Sequence, residues 1–389
     1  MPIPEPGSPS VPVRMFKGFP FVRPAALATT VTVLTAPLAQ AGSVTLEANV
    51  DPFDEAQEEA AIGFRNGSFI AVPIPFSDPT IGSGLTLGAG YLFQLDESSK
   101  PSLFGVAALR SSNGSQAYGG AANFAFDNNR WQIETLYAKA NINYDLFTAA
   151  GQLPVTQDGD LARIELSYGF TPEISAGLAV RYLNTSVSLD GLGLPPIPPP
   201  FDQFLDMEIV TPTLVAAWDW RDDTIYPTSG FNLQTELAYS HTLTGLTGDY
   251  SKAFINFTHY WNPIPKGVIA ARVSTCAASD ETPFFDQCSL GGTDAFRGFP
   301  VTQFLDLRSA SLQIEYRHQF TKRLGAVAFG GAGQTGDSYG DLSADGTHTA
   351  YGLGARYRVS QKFPVDFAVD WAHNDLGEDQ LYIYVGQRF

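Results

Sequence analysis

The side chain whose chemistry is hardest to satisfy is Arg297, in the stretch S-L-G-G-T-D-A-F-R-G-F from Ser289 to Phe299. A guanidinium is a planar fork of five donors that is costly to bury without an acidic partner. Gly291, Gly292 and Gly298 around it let the backbone take positive φ or approach other groups closely. The pattern Leu290-Gly291-Gly292, four residues, then Arg297-Gly298-Phe299 therefore suits a loop folded inward. The plainer alternative is a glycine-rich hairpin loop with an incidental arginine.

Other chemistry finds little support. The five histidines (241, 259, 318, 348, 373) are scattered, and His259 and His318 fall on faces expected to meet lipid or its aromatic border. No G-x-S-x-G occurs, and no His–Ser arrangement suggests acyl transfer. Asp337, Asp341 and Asp345-Gly346 are spaced by four, not in the one-three-five pattern of calcium loops, so they read as a solvated acidic loop. No catalytic residue, metal or cofactor is expected. The net charge of −17, with no basic patch, argues against nucleic acid.

The elements that must position Arg297 are short and alternating. Glycine (37) and aromatics (28 Phe, 16 Tyr, 5 Trp) abound, charged residues are 16%, and beyond the leader no run of 18 apolar residues could make a membrane helix. Leu85, Leu87, Ala89, Tyr91 and Phe93 share one face of an extended chain, as do Phe231, Leu233, Thr235, Leu237, Tyr239 and Leu243 opposite Asn232, Gln234, Glu236, Ser240 and Thr242. Ala253, Ile255, Phe257 and Trp261 repeat it, as do Leu312, Ile314, Tyr316 and Phe320 against Gln313, Glu315, Arg317 and Gln319. Apolar outside and polar inside is the arrangement of a transmembrane barrel with a wet lumen. Between Arg130 and Tyr144 the alternation switches partway, which predicts a bulge.

Connection lengths give orientation, because such barrels have short periplasmic turns and long outer loops. Brief turns fall at 360–362, 321–322, 262–266, 171–172 and 128–129, and longer connections at 336–346, 276–305, 191–204 and 148–157. The fold expected is all-β: an antiparallel barrel of 16 strands with Ser68–Phe76 as the first, and a long outer loop folded inward. A 14-stranded closure would make that first run a plug. Cys276 and Cys288 lie at the foot of the long loop. In an oxidising compartment they form one bridge worth about 3 kcal/mol, or stay as two free thiols.

Residues 1–14 carry five prolines that no packed element would accept, and Met15 begins a better-formed export signal. Lys17 and Arg23 are its basic start, Ala25–Leu38 its apolar run, and Ala39-Gln40-Ala41 its cleavage site. The expected organisation is signal peptide 1–41, short acidic periplasmic segment 42–67, and barrel 68–389.

The Leu-Gly-Gly…Arg-Gly-Phe loop resembles that of the BamA/TamA-like bacterial surface-antigen barrels. Asp219-x-Arg221-Asp222 with Pro227 and Gly230 is similar to their D-x-R-D-x4-P-x2-G turn, here on the periplasmic rim, with the Arg held between two acids. The end, Leu381-Tyr-Ile-Tyr-Val-Gly-Gln-Arg-Phe389, sets Leu381, Ile383, Val385 and Phe389 on one face. A terminal aromatic there is a mark by which assembly machinery recognises outer-membrane barrels, through strand addition. The resemblance implies that Arg297 turns into the lumen and meets acids on later strands. Glu315 stands where the first is expected; for the second, usually in F-x-D-x-G, F-G-G-A-G puts Gly331 in its place, leaving Asp366 or Asp370 to serve.

It further implies an outer-membrane location amid lipid and lipopolysaccharide, and insertion or translocation of proteins through a lateral seam between first and last strands. Relatives carry periplasmic POTRA domains several times longer than residues 42–67, so a separate partner would supply that function. A structural or pore-forming barrel without insertase activity is the alternative, and an outer-membrane enzyme the third.

Overall fold

Period-two alternation along almost every segment gives each strand one face for lipid and one for the interior, and a sheet so built has no exposed edge only if it closes. The computed structural model describes residues 67–389 except 97, 98, 100, 149, 150, 189–205, 224, 225, 293, 294, 343–345 and 359–365. The export signal, nearly all of the acidic segment, the 191–204 connection, the 360–362 turn and Asp345 lie outside the described residues.

The strands in chain order are β1 (Ser68–Asp78), β2 (Gly82–Phe93), β3 (Ser102–Ser111), β4 (Gln116–Phe126), β5 (Trp131–Thr148), β6 (Gly151–Gly169), β7 (Ile174–Ser188), β8 (Asp206–Asp219) and β9 (Gly230–Thr244). They continue with β10 (Tyr250–Ile264), β11 (Gly267–Ala278), β12 (Cys288–Ser289), β13 (Leu305–Asp306), β14 (Arg308–Gln319), β15 (Leu324–Gly336), β16 (His348–Arg358), β17 (Asp366–Asn374) and β18 (Asp379–Val385). Sixteen form one closed antiparallel barrel in sequence order, while β12 and β13 make a small ribbon within the long connection that separates β11 from β14. The run from Ser68 is a wall strand and not a plug. Both ends of the barrel chain lie at one rim, the terminal rim; the long connection 279–307 leaves from the other, the loop rim.

Alternation sets the two faces. Leu87, Val106, Leu178, Leu214, Leu237, Leu312 and Leu353 are exposed on the outside, whereas Thr86, Thr213, Glu236, Gln313 and Glu315 are buried within. Aromatic pairs border the terminal rim: Trp131 against Tyr168 at 5.0 Å and Trp218 against Phe231 at 4.9 Å between ring centroids. His259 stacks on Trp261 and His318 lies against Phe320 in the same border. Such amphipathic rings suit the interface between hydrocarbon and water.

Two expectations about the wall need correcting. The segment 130–144 contains no bulge, because β5 pairs without a register shift to β4 and to β6. What changes along it is the surroundings. Near the loop rim the outer face becomes polar, with Lys139 and Asp160 paired at 3.1 Å. The inner face there turns apolar: Ile142 and Tyr144 pack with Val155, Leu183, Ile209 and Phe285 of the long loop. Likewise 148–157 is not a loop: β5 ends at Thr148 and β6 begins at Gly151, the two tallest strands of the barrel. The irregularities lie elsewhere, beside Glu208/Ile209 between β8 and β9 and beside Trp261/Ile264 between β10 and β11.

Closure is weak at one place. β17 and β18 pair from Phe367↔Val385 through His373↔Asp379, but among the described residues β1 meets β18 at the single registered position Ser77↔Ile383.

Candidate functional site

The long connection turns into the bore and is held there at two depths. Nearer the loop rim, a 3-10 turn over Phe284–Asp286 buries the Asp286 carboxylate. Arg181 of β7 reaches it at 2.7 Å, Lys252 of β10 at 3.3 Å, and the Tyr250 hydroxyl donates at 2.6 Å. A buried carboxylate needs such partners, and the lumen faces of β7 and β10 supply two cations.

Deeper in, Arg297 is fully buried. Its Nη1 donates to Asp370 of β17 at 2.6 Å, and its Nε and Nη2 donate to the Gln313 amide oxygen of β14 at 3.1 and 3.0 Å. Glu315 Oε2 lies 2.6 Å from Nη2 as an ion contact not aligned as a hydrogen bond. The guanidinium also sits 3.6 Å from the centroid of the Phe329 ring, in cation–π contact. The acids are shared: Glu315 takes Arg317 at 2.6 Å, and Asp370 takes Arg356 and the Tyr384 hydroxyl, the latter at 2.7 Å.

The motif's small and apolar residues make this approach possible. Gly298 has φ +132, its N–H donates to the Tyr382 hydroxyl at 2.8 Å, and a Cβ there would meet the Ala350 Cβ at 2.3 Å. Gly291 has φ +90, which L side chains rarely adopt. Phe296 and Phe299 stack at 6.0 Å and pack on Ala350, and Phe304 lies 3.7 Å from the His348 ring. Leu290 is fully buried against Gly333, and Gly292 lies beside Ser289.

A family model for the Omp85 superfamily domain matches residues 112–389, most of the chain and all of the clasp. This chain belongs to the Omp85 superfamily. Curated protein sequences yield no match. Among solved structures, this Omp85 barrel is similar to "the crystal structure of BamA from Haemophilus ducreyi lacking POTRA domains 1-3" at 13% identity and TM-score 0.54, over 82% of this chain and 69% of that one. It is also similar to CdiB from Escherichia coli (13%, TM-score 0.57, 82% and 62%) and CdiB from Acinetobacter baumannii (10%, TM-score 0.53, 82% and 59%). The chain thus spans less than two thirds of either CdiB. At such identities the likeness shows the fold. As an Omp85 protein the chain is an outer-membrane β-barrel.

Two expected placements in the Omp85 barrel are corrected. Asp366 does not reach Arg297; it pairs with Arg358 at 3.1 Å and accepts from Gln387 at 2.8 Å, nearer the terminal rim. Phe389 does not share the outward face of Leu381, Ile383 and Val385. β18 stops at Val385, Gly386 takes φ +96, and the last residues turn into the lumen. There Phe389 packs on Tyr260 and Ala270, its main-chain oxygen accepts from Arg317 at 2.9 Å, and its ring lies 5.3 Å from the Arg297 guanidinium.

In the turn after β8, Asp219 chelates Arg221 through two bonds of 2.7 Å. Asp222, expected as the second acid on that arginine, instead accepts from the Thr228 hydroxyl and from the N–H groups of Thr228 and Ser229 at 2.9 and 3.0 Å. Pro227 is buried, and at Gly230 (φ +96) a Cβ would lie 1.9 Å from the Trp220 carbonyl oxygen. Burial pushes the Asp222 carboxyl up, but the donors from Thr228, Ser229 and Asp223 outweigh it and leave it below the ordinary carboxylate range. Its contribution is therefore present above the unfolded pKa of about 4 and lost as pH falls through the lower folded value. Asp222→Ala is expected to remove this acid dependence of amide protection in the turn, read by hydrogen exchange between neutral and acid pH.

Cys276 and Cys288 are bridged, joining β11 to β12 across twelve positions. In the double variant Cys276→Ser/Cys288→Ser the loop is expected to lose about 3 kcal/mol of restraint. Faster proteolysis within 279–307 with an intact barrel band would show it; unchanged proteolysis would assign the restraint to the two charged anchors alone.

Several residues of the site were not singled out in the sequence: Asp286, Arg181, Lys252, Arg356, Tyr382 and Tyr384. Lys252 and Arg181 carry a signal in principle, since strand parity puts both in the lumen, where a cation requires an acid.

Proposed function

We propose that this Omp85 barrel inserts or translocates polypeptides at the outer membrane through the seam between β1 and β18. The observation that carries this reading is the reduction of that seam to Ser77↔Ile383 while the adjacent β17–β18 ladder is complete along β18. When two strands part, their edges present backbone donors and acceptors that another strand can pair with. On this reading the terminal rim faces the periplasm and the loop rim the outside. The surrounding partners are lipid and lipopolysaccharide, a separate POTRA-bearing or periplasmic protein delivers clients, and the machinery that assembles this barrel recognises its last strand. The Arg297 clasp and the Asp286 anchor hold the loop as a strut inside the wall, so that the barrel keeps its shape when the seam opens.

The test is reconstitution of the mature barrel in liposomes with two readouts, folding of a second barrel protein and ion conductance. Faster client folding is the expected result. Conductance without acceleration would favour a pore, and neither would leave a structural barrel. Phe285, Leu290, Phe296 and Phe299 are buried within the bore, so little conductance is expected while the loop stays in place.

A further inference from the structure

Strand parity decides which backbone groups face the seam. Outside the regular ladder, Gly386 N–H donates to the Asp366 carbonyl at 2.8 Å and Asn374 N–H to the Glu378 carbonyl at 3.1 Å. Both bonds lie on the β17–β18 register, so even-numbered residues of β18 bond to β17 and odd-numbered ones turn toward β1. Ile383 is odd, so its pairing with Ser77 is a hydrogen-bonded one, and the odd residues of β1 face β18. The other side of β1 gives the same answer. Ser112 N–H donates to the Ser83 carbonyl at 2.7 Å, so odd residues of β2 bond to β3 and even ones to β1, which β1 meets with its own even residues.

The seam-facing backbone of β1 therefore belongs to Phe69, Ala71, Pro73, Pro75 and Ser77, and that of β18 to Asp379, Leu381, Ile383 and Val385. A proline has no N–H to donate, which is why prolines within sheets keep to edges. Carried on from Ser77↔Ile383, the register would set Pro75 against Val385 and Pro73 against Gln387. Neither position of β1 offers a donor, and there the last strand leaves the wall, at Gly386. The single registered pair is thus written into the sequence of β1.

When the seam parts, the two edges are chemically unequal. β18 carries a backbone donor and acceptor at Asp379, Leu381 and Ile383. A strand laid along β1 would leave its own carbonyls opposite Pro73 and Pro75 without donors at membrane depth, where no water replaces them. We infer that the incoming strand of a client barrel pairs with the seam edge of β18, and that Pro73 and Pro75 bar β1 from templating it. This rests on the function proposed above and assigns the edge that performs it; the occupant is a β-strand of an unfolded outer-membrane protein, whose recognition needs main-chain hydrogen bonds.

Two measurements test it. In the reconstituted barrel without client, Pro73→Ala/Pro75→Ala gives β1 a donor at both positions, and amide exchange at Gln387 is expected to slow about tenfold as the ladder extends. Unchanged exchange would overturn the role of the prolines. In the second, a photo-crosslinking side chain is placed at Leu381 or Ile383 of β18, or at Phe69 or Ala71 of β1, and an eight-stranded barrel protein diluted from urea is the client. Crosslinked client is expected from the β18 positions and lost at the β1 positions, appearing at β1 only in the proline double variant. Client bands from Phe69 or Ala71 of the unsubstituted barrel, at the level of β18, would overturn the inference while leaving the function standing. Absent acceleration and absent crosslinks would overturn the function instead, and the exchange measurement still decides whether the prolines limit the seam.

Discussion

Arg297→Ala is expected to release the deep end of the loop and to leave a barrel that assembles poorly. The substitution removes the one cation that, among the described residues, touches Asp370, Gln313 and Glu315 together, along with the face packed on Phe329. Breaking a buried ion pair from one side costs roughly 3–5 kcal/mol, because the partner charge stays buried. Arg317 and Arg356 still contact the two acids, so the lower end of that range applies. That equals the restraint of about 3 kcal/mol from a disulfide closing a loop this short, and the Asp286 anchor is untouched. Cleavage is therefore expected to begin between 290 and 304 and to spare 276–288. Arg297→Lys keeps the charge but not the fork, and should fall between. The checks are heat-modifiable migration and limited proteolysis of membranes; wild-type behaviour of both in Arg297→Ala would mean that the clasp does not hold the loop.

How much of this site could be read from the chain depends on what strand parity can and cannot say. Parity placed Glu315 in the lumen, and the resemblance of the loop implied that Arg297 would meet it there. Parity also placed Asp366 and Asp370 on one inner face, but four residues along a strand are about 13 Å. Depth, which parity does not give, separates the acid that meets Arg297 from the one that meets Arg358. Gly331 stands where the resembled loop's second acid would be, and a Cβ there would lie 2.8 Å from the Phe296 ring and 2.4 Å from the Leu312 carbonyl oxygen. Phe296 occupies that space, and the acid comes from β17 instead. The apparent slip in β5 came from treating one strand as having one solvent, when its end near the loop rim stands outside the apolar band with a greasy inner face. The Asp286 anchor was invisible for a simpler reason: its arginine lies 105 residues away, on β7, and only the inward turn of the loop within the closed barrel brings the two together. Phe389 followed the alternation up to Val385. Beyond it, Gly386 and the prolines of β1 end the ladder, and Arg317 and Arg272 draw the terminal residues inside.

Stapling the seam is expected to abolish client folding without unfolding the barrel. Cysteines in place of Ser77 and Ile383, in a background with Cys276→Ser and Cys288→Ser, would sit at a hydrogen-bonded antiparallel pair, whose Cα atoms are about 5.5 Å apart and within disulfide reach. One such pair supplies two hydrogen bonds, each worth about 1 kcal/mol net, so the native seam opens at a far smaller cost than parting β17 from β18. The bridge removes that opening altogether. Oxidised protein should show no acceleration of client folding in liposomes, and reductant should restore it to the level of the Cys-free background. The same bridge between two positions of the β17–β18 ladder that face away from the seam, such as Ala372 and Gln380, should leave activity intact, because that ladder has no need to part. Full activity of the oxidised seam variant would exclude lateral opening and send the function back to the bore, where the clasped loop would then have to move.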